Sequence, residues 1–214
     1  MPKFIIRRAQ ATDDLLQIAS CIYRTDPFIY PAAFGQDSEK AAHAISVLMR
    51  IENGLFHTDN IIIALNDDQV CGALLYNREG AQWDHCQCTE LVKEIVPDIK
   101  QFEYVSHKYF HIESARPEKD HIEIVACCVM PEFRNLGIGR GMLNYLAKQF
   151  PAHIFTLDVI ANNLSAVTLY HRCNFETLEG FRGFSIEEAT RPDCYHMVRK
   201  PIVLEGENHE QVKT

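Results

Sequence analysis

The segment from Ile122 to Gly141 constrains this chain more than any other. Ile122-Glu123-Ile124-Val125-Ala126-Cys127-Cys128-Val129-Met130 is rich in β-branched residues and closes at Pro131, which reads as a strand. Arg134-Asn135-Leu136-Gly137-Ile138-Gly139-Arg140-Gly141 follows, and then Met142, Leu143, Leu146 and Ala147 recur at helical spacing. Ile154 to Ile160 is a second strand, and Ser165 to Cys173 a short helix carrying Val167, Leu169 and Tyr170. Strand, helix, strand, helix in that order implies a parallel βαβ crossover, and so an α/β fold with a mixed central sheet.

The remaining elements fit around that unit. Phe4 to Arg8 is strand-like; Thr12-Asp13-Asp14 supplies an N-cap for a helix through Leu15, Ile18, Ala19 and Ile22 that ends near Tyr23. Asp26 to Gly35 carries two prolines, a glycine and several aromatics, too broken for a regular element and too apolar for a solvated loop. A second helix runs from a Ser38 cap through Ala42, Ile45, Val47 and Leu48 to Asn53-Gly54. Ile61–Leu65 and Gln69–Tyr76 are strands joined by the hairpin turn Asn66-Asp67-Asp68. The stretch 77–120 then reads as a largely helical insertion between the third and fourth strands, through Leu91, Val92, Ile95, Ile99 and Phe102. A last strand, Cys194 to Arg199, precedes a polar tail, 205–214, expected to be disordered. One domain over 1–204 accounts for a chain of 214 residues.

Composition removes several function classes. No apolar run approaches the roughly 20 residues that cross a bilayer, and the N-terminus lacks the apolar core and cleavage site of an export signal. Cys71, Cys127 and Cys128 lie in apolar strands, where a reduced thiol packs as a small hydrophobe, so a cytoplasmic chain is expected. A net charge of −8 disfavours nucleic acid and anionic membranes and suits a cationic substrate.

Gly137 and Gly139 stand between strand and helix, where main-chain N–H groups can close on an anion at the positive end of the helix dipole. Arg134 and Arg140 flank this phosphate cradle. It is no P-loop, because Met142-Leu143 stand where Lys and Ser or Thr are required. The dinucleotide fingerprint fails on the spacing of Gly137, Gly139 and Gly141, although Asp158 lies at a fitting distance for its acidic residue.

Arg134-Asn135-Leu136-Gly137-Ile138-Gly139, preceded by Val129-Met130-Pro131-Glu132-Phe133, resembles the cofactor motif of the GNAT superfamily of acetyl-CoA-dependent N-acetyltransferases. Leu157, Val159, Asn163, Ala166, Leu169, Tyr170 and Phe175 match that family's downstream pattern, in which Asn174 replaces a glycine and can still adopt a left-handed turn. The resemblance implies a splayed sheet, opened between Val129 and Leu157 to admit the cofactor. It implies that the amides of Leu136, Gly137, Ile138, Gly139 and Arg140 bind the CoA pyrophosphate. The main chain of Cys128 and Val129 would pair with the pantetheine arm, Asn163 would bond the same arm, and Tyr170 would lie near the thioester sulfur.

The implied reaction is direct attack of a primary amine, on a small molecule or a peptide, on the thioester of acetyl-CoA, with no metal. The amine must lose a proton and the departing thiolate gains from an acid. Glu123 is the candidate base and Tyr170 the candidate acid; a solvated strand-end carboxylate and a core tyrosine are the plain alternatives. The amide of Val129 is the candidate oxyanion donor. Phe28, Tyr30, Phe34 and Trp83 either line an acceptor pocket or roof the core. His85-Cys86-Gln87-Cys88 falls short of a zinc set, Cys127 and Cys128 have no histidine to activate them, and His111 and His121 read as surface residues. The insertion is the candidate surface for a homodimer. A catalytically silent CoA-binding module and a nucleotide-binding protein are the rival readings.

Overall fold

The computed structural model describes residues 4–78, 83–110, 120–181, 185–186, 189–190 and 192–201. The expected tail at 205–214, the extreme N-terminus and His111 lie outside them. The strands are β1 (Ile5–Arg8), β2 (Ile61–Asn66), β3 (Gln69–Arg78), β4 (His121–Val129), β5 (Ile154–Ile160), β6 (Glu176–Phe181), β7 (Ser185–Ile186), β8 (Ala189–Thr190) and β9 (Cys194–Arg199). Seven of them form one sheet in the order β1-β2-β3-β4-β5-β9-β6, and β7 pairs with β8 apart from it. Every neighbouring pair in the large sheet is antiparallel except β4 and β5, the crossover pair.

The helices are α1 (Leu15–Tyr23), α2 (Ile29–Phe34), α3 (Ser38–Leu48), α4 (His85–Val92), α5 (Ile99–Val105), α6 (Ile138–Gln149) and α7 (Leu164–Arg172). The described part of the insertion between β3 and β4 is thus largely helical, with α4 and α5, while Asn77 and Arg78 belong to β3. Aspartates at Asp14, Asp37, Asp84 and Asp98 cap α1, α3, α4 and α5 by accepting first-turn amides. Asp37, one residue before the expected Ser38, has the extended backbone that a cap requires. Asp13 instead pairs in two-pronged fashion with Arg7, at 2.6 and 2.8 Å, tying β1 to the start of α1.

Three sequence expectations need correction. Asp26 to Gly35 contains the short helix α2, which tolerates Pro31 because first-turn amides lack helical partners anyway. Helix α3 ends at Leu48, and Asn53, at φ 57°, belongs to a later turn. Strand β6 is a further strand, sparse in apolar residues, and β9 lies between β5 and β6. Among the described residues no helix is long and apolar enough to cross a membrane, and no disulfide joins any of the eight cysteines.

Two apolar layers cover the sheet. On one face α1, α3 and α2 with α4 and α5 enclose an aromatic cluster in which the ring of Phe34 lies 5.5 Å from Phe102, 6.0 Å from Phe110 and 6.4 Å from Phe56. On the other, α6 and α7 pack on Ile62, Leu74, Tyr76, Ile122, Ile124 and Leu157. Phe34 is 1% exposed. Phe34→Ala should therefore cost about 3–5 kcal/mol of stability, measured as a lower urea midpoint with unchanged slope.

Candidate active site

Strands β4 and β5 part halfway along their length. They pair only from His121–Ile124 against Ile154–Leu157. Beyond that point β5 stays with β9 to Ile160 and β4 with β3 to Val129, so an opening separates them. The β3–β4 register slips as it passes from Leu75↔Ala126 to Tyr76↔Ile124, which makes Val125 an extra, bulged residue. The bulge shifts the facing of β4: Ile122 and Ile124 join the α6 layer, whereas Val125, Ala126 and Cys128 face the α1 layer.

The N–H of Met130 donates to Cys71 O at 2.9 Å. Strand alternation then turns the main chain of Cys128 toward β3 and points that of Cys127 and Val129 into the opening. Cys127, rather than Cys128, therefore joins Val129 on that edge. The carbonyl of Val129 accepts from Arg134 Nε at 3.1 Å.

The turn that follows is shaped for an anion. Asn135 and Gly137 both adopt left-handed backbone, at φ 63° and 81°, which curls the main chain into a concavity of amides. After Arg134, whose N–H reaches Pro131 O at 3.3 Å, the next amide in this segment with a backbone acceptor is that of Gly141, bonded to Gly137 O at 2.9 Å. Among the described residues, then, none accepts from the amides of 135–140, and the dipole of α6 points at them. The space before Gly137 is open, with no atom within 4 Å of an added Cβ. At Gly139 a Cβ would meet Leu169 Cδ2 at 2.9 Å, so glycine there lets α6 approach α7. These groups fit a diphosphate. Arg134 and Arg140 are exposed beside the turn.

Glu123 and Tyr170 face the sheet from opposite sides. Glu123 alternates with Ile122 and Ile124 and so projects into the α1 layer, where the Asn77 side-chain amide, opposite it on β3, donates to its carboxylate. Burial above all, then the negative charge of Asp158, pushes its carboxyl up to about 7, against the opposing pull of His196 and Asn77. Tyr170, 7% exposed, lies in the α6 layer with Cys127 and Cys173, and its burial above all raises its hydroxyl well above the ordinary value. One group can accept a proton near neutrality; the other holds its proton.

A family model described as the acetyltransferase (GNAT) family matches residues 21–175. The chain belongs to this family. It is an acyltransferase, and the family's chemistry is acetyl transfer. Among solved structures, an N-acetyltransferase from Staphylococcus aureus Mu50 shares 15% identity at a TM-score of 0.63, over 91% of this chain and 99% of its own. The ribosomal-protein-S18-alanine N-acetyltransferase from Escherichia coli shares 17% at 0.54, over 96% and 98%. A GNAT-family acetyltransferase from Streptococcus pneumoniae shares 15% at 0.54, over 94% and 100%. At these identities the likeness is one of fold. No curated protein matches the sequence.

In this GNAT acetyltransferase the other expected site residues are differently placed. Asn163 caps α7, its Oδ1 accepting from Ala166 N at 3.3 Å and Ser165 Oγ at 3.1 Å. Asn174 adopts φ 65°, the left-handed turn that the family's glycine would make. Tyr30, Phe34 and Trp83 are at least nine-tenths buried within the aromatic cluster, Tyr30 stacked on Phe34 and Trp83 against Phe110; of the four expected pocket aromatics only Phe28 is half-buried. Among the described residues no three His, Cys, Asp or Glu side chains form a group that could hold a metal.

Sequence reasoning missed the neighbours of Glu123 on β5 and β9. Asp158 and His196 face each other across those strands, with His196 Nδ1 and Asp158 Oδ1 2.7 Å apart. The signal was weak: one polar residue flanked by Leu157 and Val159, and one histidine flanked by Tyr195 and Met197.

The raised carboxyl of Glu123 makes stability pH-dependent. The folded protein keeps this proton between its ordinary value of 4.5 and about 7, where the unfolded chain has released it. The contribution of Glu123 to stability therefore falls as pH rises through that window and is constant above it. Glu123→Gln removes this slope. Urea unfolding below, within and above the window should show the variant gaining on the parent as pH rises, and equal slopes would refute the assignment.

Proposed function

We propose that this acetyltransferase takes its acetyl group from acetyl-CoA and delivers it to a primary amine, on a small molecule or a peptide, by direct attack. The observation that carries this reading is the concave run of amides at 135–140 beside an opening edged by the main chain of Cys127 and Val129. An anion and an amide-bearing arm can be held there together, the arm lying along β4 like an added strand.

Acetyl-CoA supplies an activated acyl carbonyl when bound. The amides from Leu136 to Arg140, with Arg134 and Arg140 at the sides, would hold its pyrophosphate. The Val129 N–H would polarise the carbonyl, and Asn163 would steady the arm. From the α1 side, Glu123 takes a proton from the acceptor's ammonium, leaving a neutral nitrogen lone pair. From the α6 side, Tyr170 holds a proton for the departing sulfur. Base and acid on opposite faces of an opening suit a reaction in which the nucleophile enters from one side and the leaving group departs on the other. Phe28 is the aromatic candidate for the acceptor's entrance. The net charge of −8 favours a cationic acceptor.

Two measurements test this. Acetyl-CoA and CoA, but not ATP or NAD, should raise the melting temperature of the parent. Gly137→Asp, whose Cβ meets no atom although its left-handed backbone costs some stability, sets a carboxylate before the amides and should lose that shift. With a panel of amines and CoA release as readout, Glu123→Gln and Tyr170→Phe should each slow turnover by about 10²-fold or more. Stabilisation by ATP or NAD alone would overturn the donor assignment; full rate in both variants would overturn the acid and base.

A further inference from the structure

We propose that Asp158, its carboxylate pinned by His196, is a positioning residue that makes Glu123 a stronger base. The inference rests on the reading of Glu123 as the base. Thr156 is the register partner of Glu123 across β4 and β5, and Asp158 lies two residues further on, hence on the same face. Asp158 stands one residue past the paired stretch of β5, near enough for its charge to act on Glu123. The ladder between β4 and β5 ends one residue pair beyond Glu123, at Ile124 and Leu157, so Asp158 stands on the rim of the opening.

The carboxylate of Asp158 has a fixed direction. A carboxylate has no hydrogen to give, so His196 Nδ1 carries the proton and donates it at 2.7 Å. His196 stands opposite Asp158 in the β5–β9 register, and Glu179 stands opposite His196 across β9 and β6. The groups acting on Glu123 are Asp158 from β5, His196 from β9 and the neutral Asn77 from β3; His121 lies two residues away on its own strand. Asp158 is the negative charge among them.

The consequence follows from charge balance. Glu123 starts as a carboxylate near a second carboxylate. When the acceptor's ammonium gives up a proton, Glu123 becomes a neutral carboxylic acid and the amine a neutral nucleophile. That transfer relieves the repulsion between Glu123 and Asp158, so Asp158 favours the proton's arrival on Glu123. A strand-end carboxylate with no such neighbour would hold its proton more weakly and deprotonate the amine less often.

The test reads Glu123 directly, without an acceptor. Side-chain carboxyl carbons are followed by NMR through a pH titration of the parent, of Glu123→Gln to assign the signal, and of Asp158→Asn and Asp158→Glu. The parent signal should titrate near 7, fall toward the ordinary carboxylate range in Asp158→Asn, and return in Asp158→Glu. The acidic limb of the kcat/KM profile should move the same way. A signal in Asp158→Asn that titrates where the parent's does overturns the inference while leaving the base assignment intact. Full turnover by Glu123→Gln overturns the base assignment and this inference with it.

Discussion

The parting of β4 from β5 is the constraint on which the rest of the molecule depends. A strand inside a sheet satisfies its main chain on both sides, but past Ile124 strand β4 has, among the described residues, a neighbouring strand only at β3. The main-chain groups of Cys127 and Val129 must therefore find partners outside the sheet, and Arg134 Nε already supplies one to Val129. The bulge at Val125 gives β4 the bend that carries it away from β5. An opening made by withheld hydrogen bonds in a β-sheet attracts any extended, amide-bearing ligand. The amides of 135–140 stand at its end.

The same parting decides the electrostatics. Glu123 lies at the last stretch where β4 and β5 still pair, so it is enclosed enough for burial to raise its carboxyl, and close enough to the rim to meet what enters. Tyr170, on the far side, keeps its proton because it is buried, with the nearby thiols adding to the effect. A sheet closed along its full length would separate the layer that holds Glu123 from the layer that holds Tyr170.

What the sequence revealed was local. Gly137 and Gly139 announce their turn because left-handed backbone and close approach are properties of single residues, and the apolar periodicity of α6 starts directly after them. Asn174 was legible for the same reason. Features set by pairing across the sheet were not. Nothing at Val125 marks a bulge, since its side chain is an ordinary strand residue; the slip is a relation to β3. Asp158 and His196 are 38 residues apart and become neighbours only because β9 settles against β5. Strand β6 lies at the sheet's edge, and with little to bury its sequence carries little strand signal. Tyr30, Phe34 and Trp83 show a further limit: an aromatic that fills a core and one that lines a cavity leave the same apolar letter.

The place of β9 has a temporal side. Its residues leave the ribosome after those of β6, yet β9 lies between β5 and β6 in the sheet. Until Arg199 has emerged, β5 has no ladder on its outer side and β6 has no strand to join. The nascent chain therefore carries an unpaired inner edge until β9 has emerged. The wait ends with one closing event of high sequence separation, which sets His196 against Asp158 as it completes the sheet.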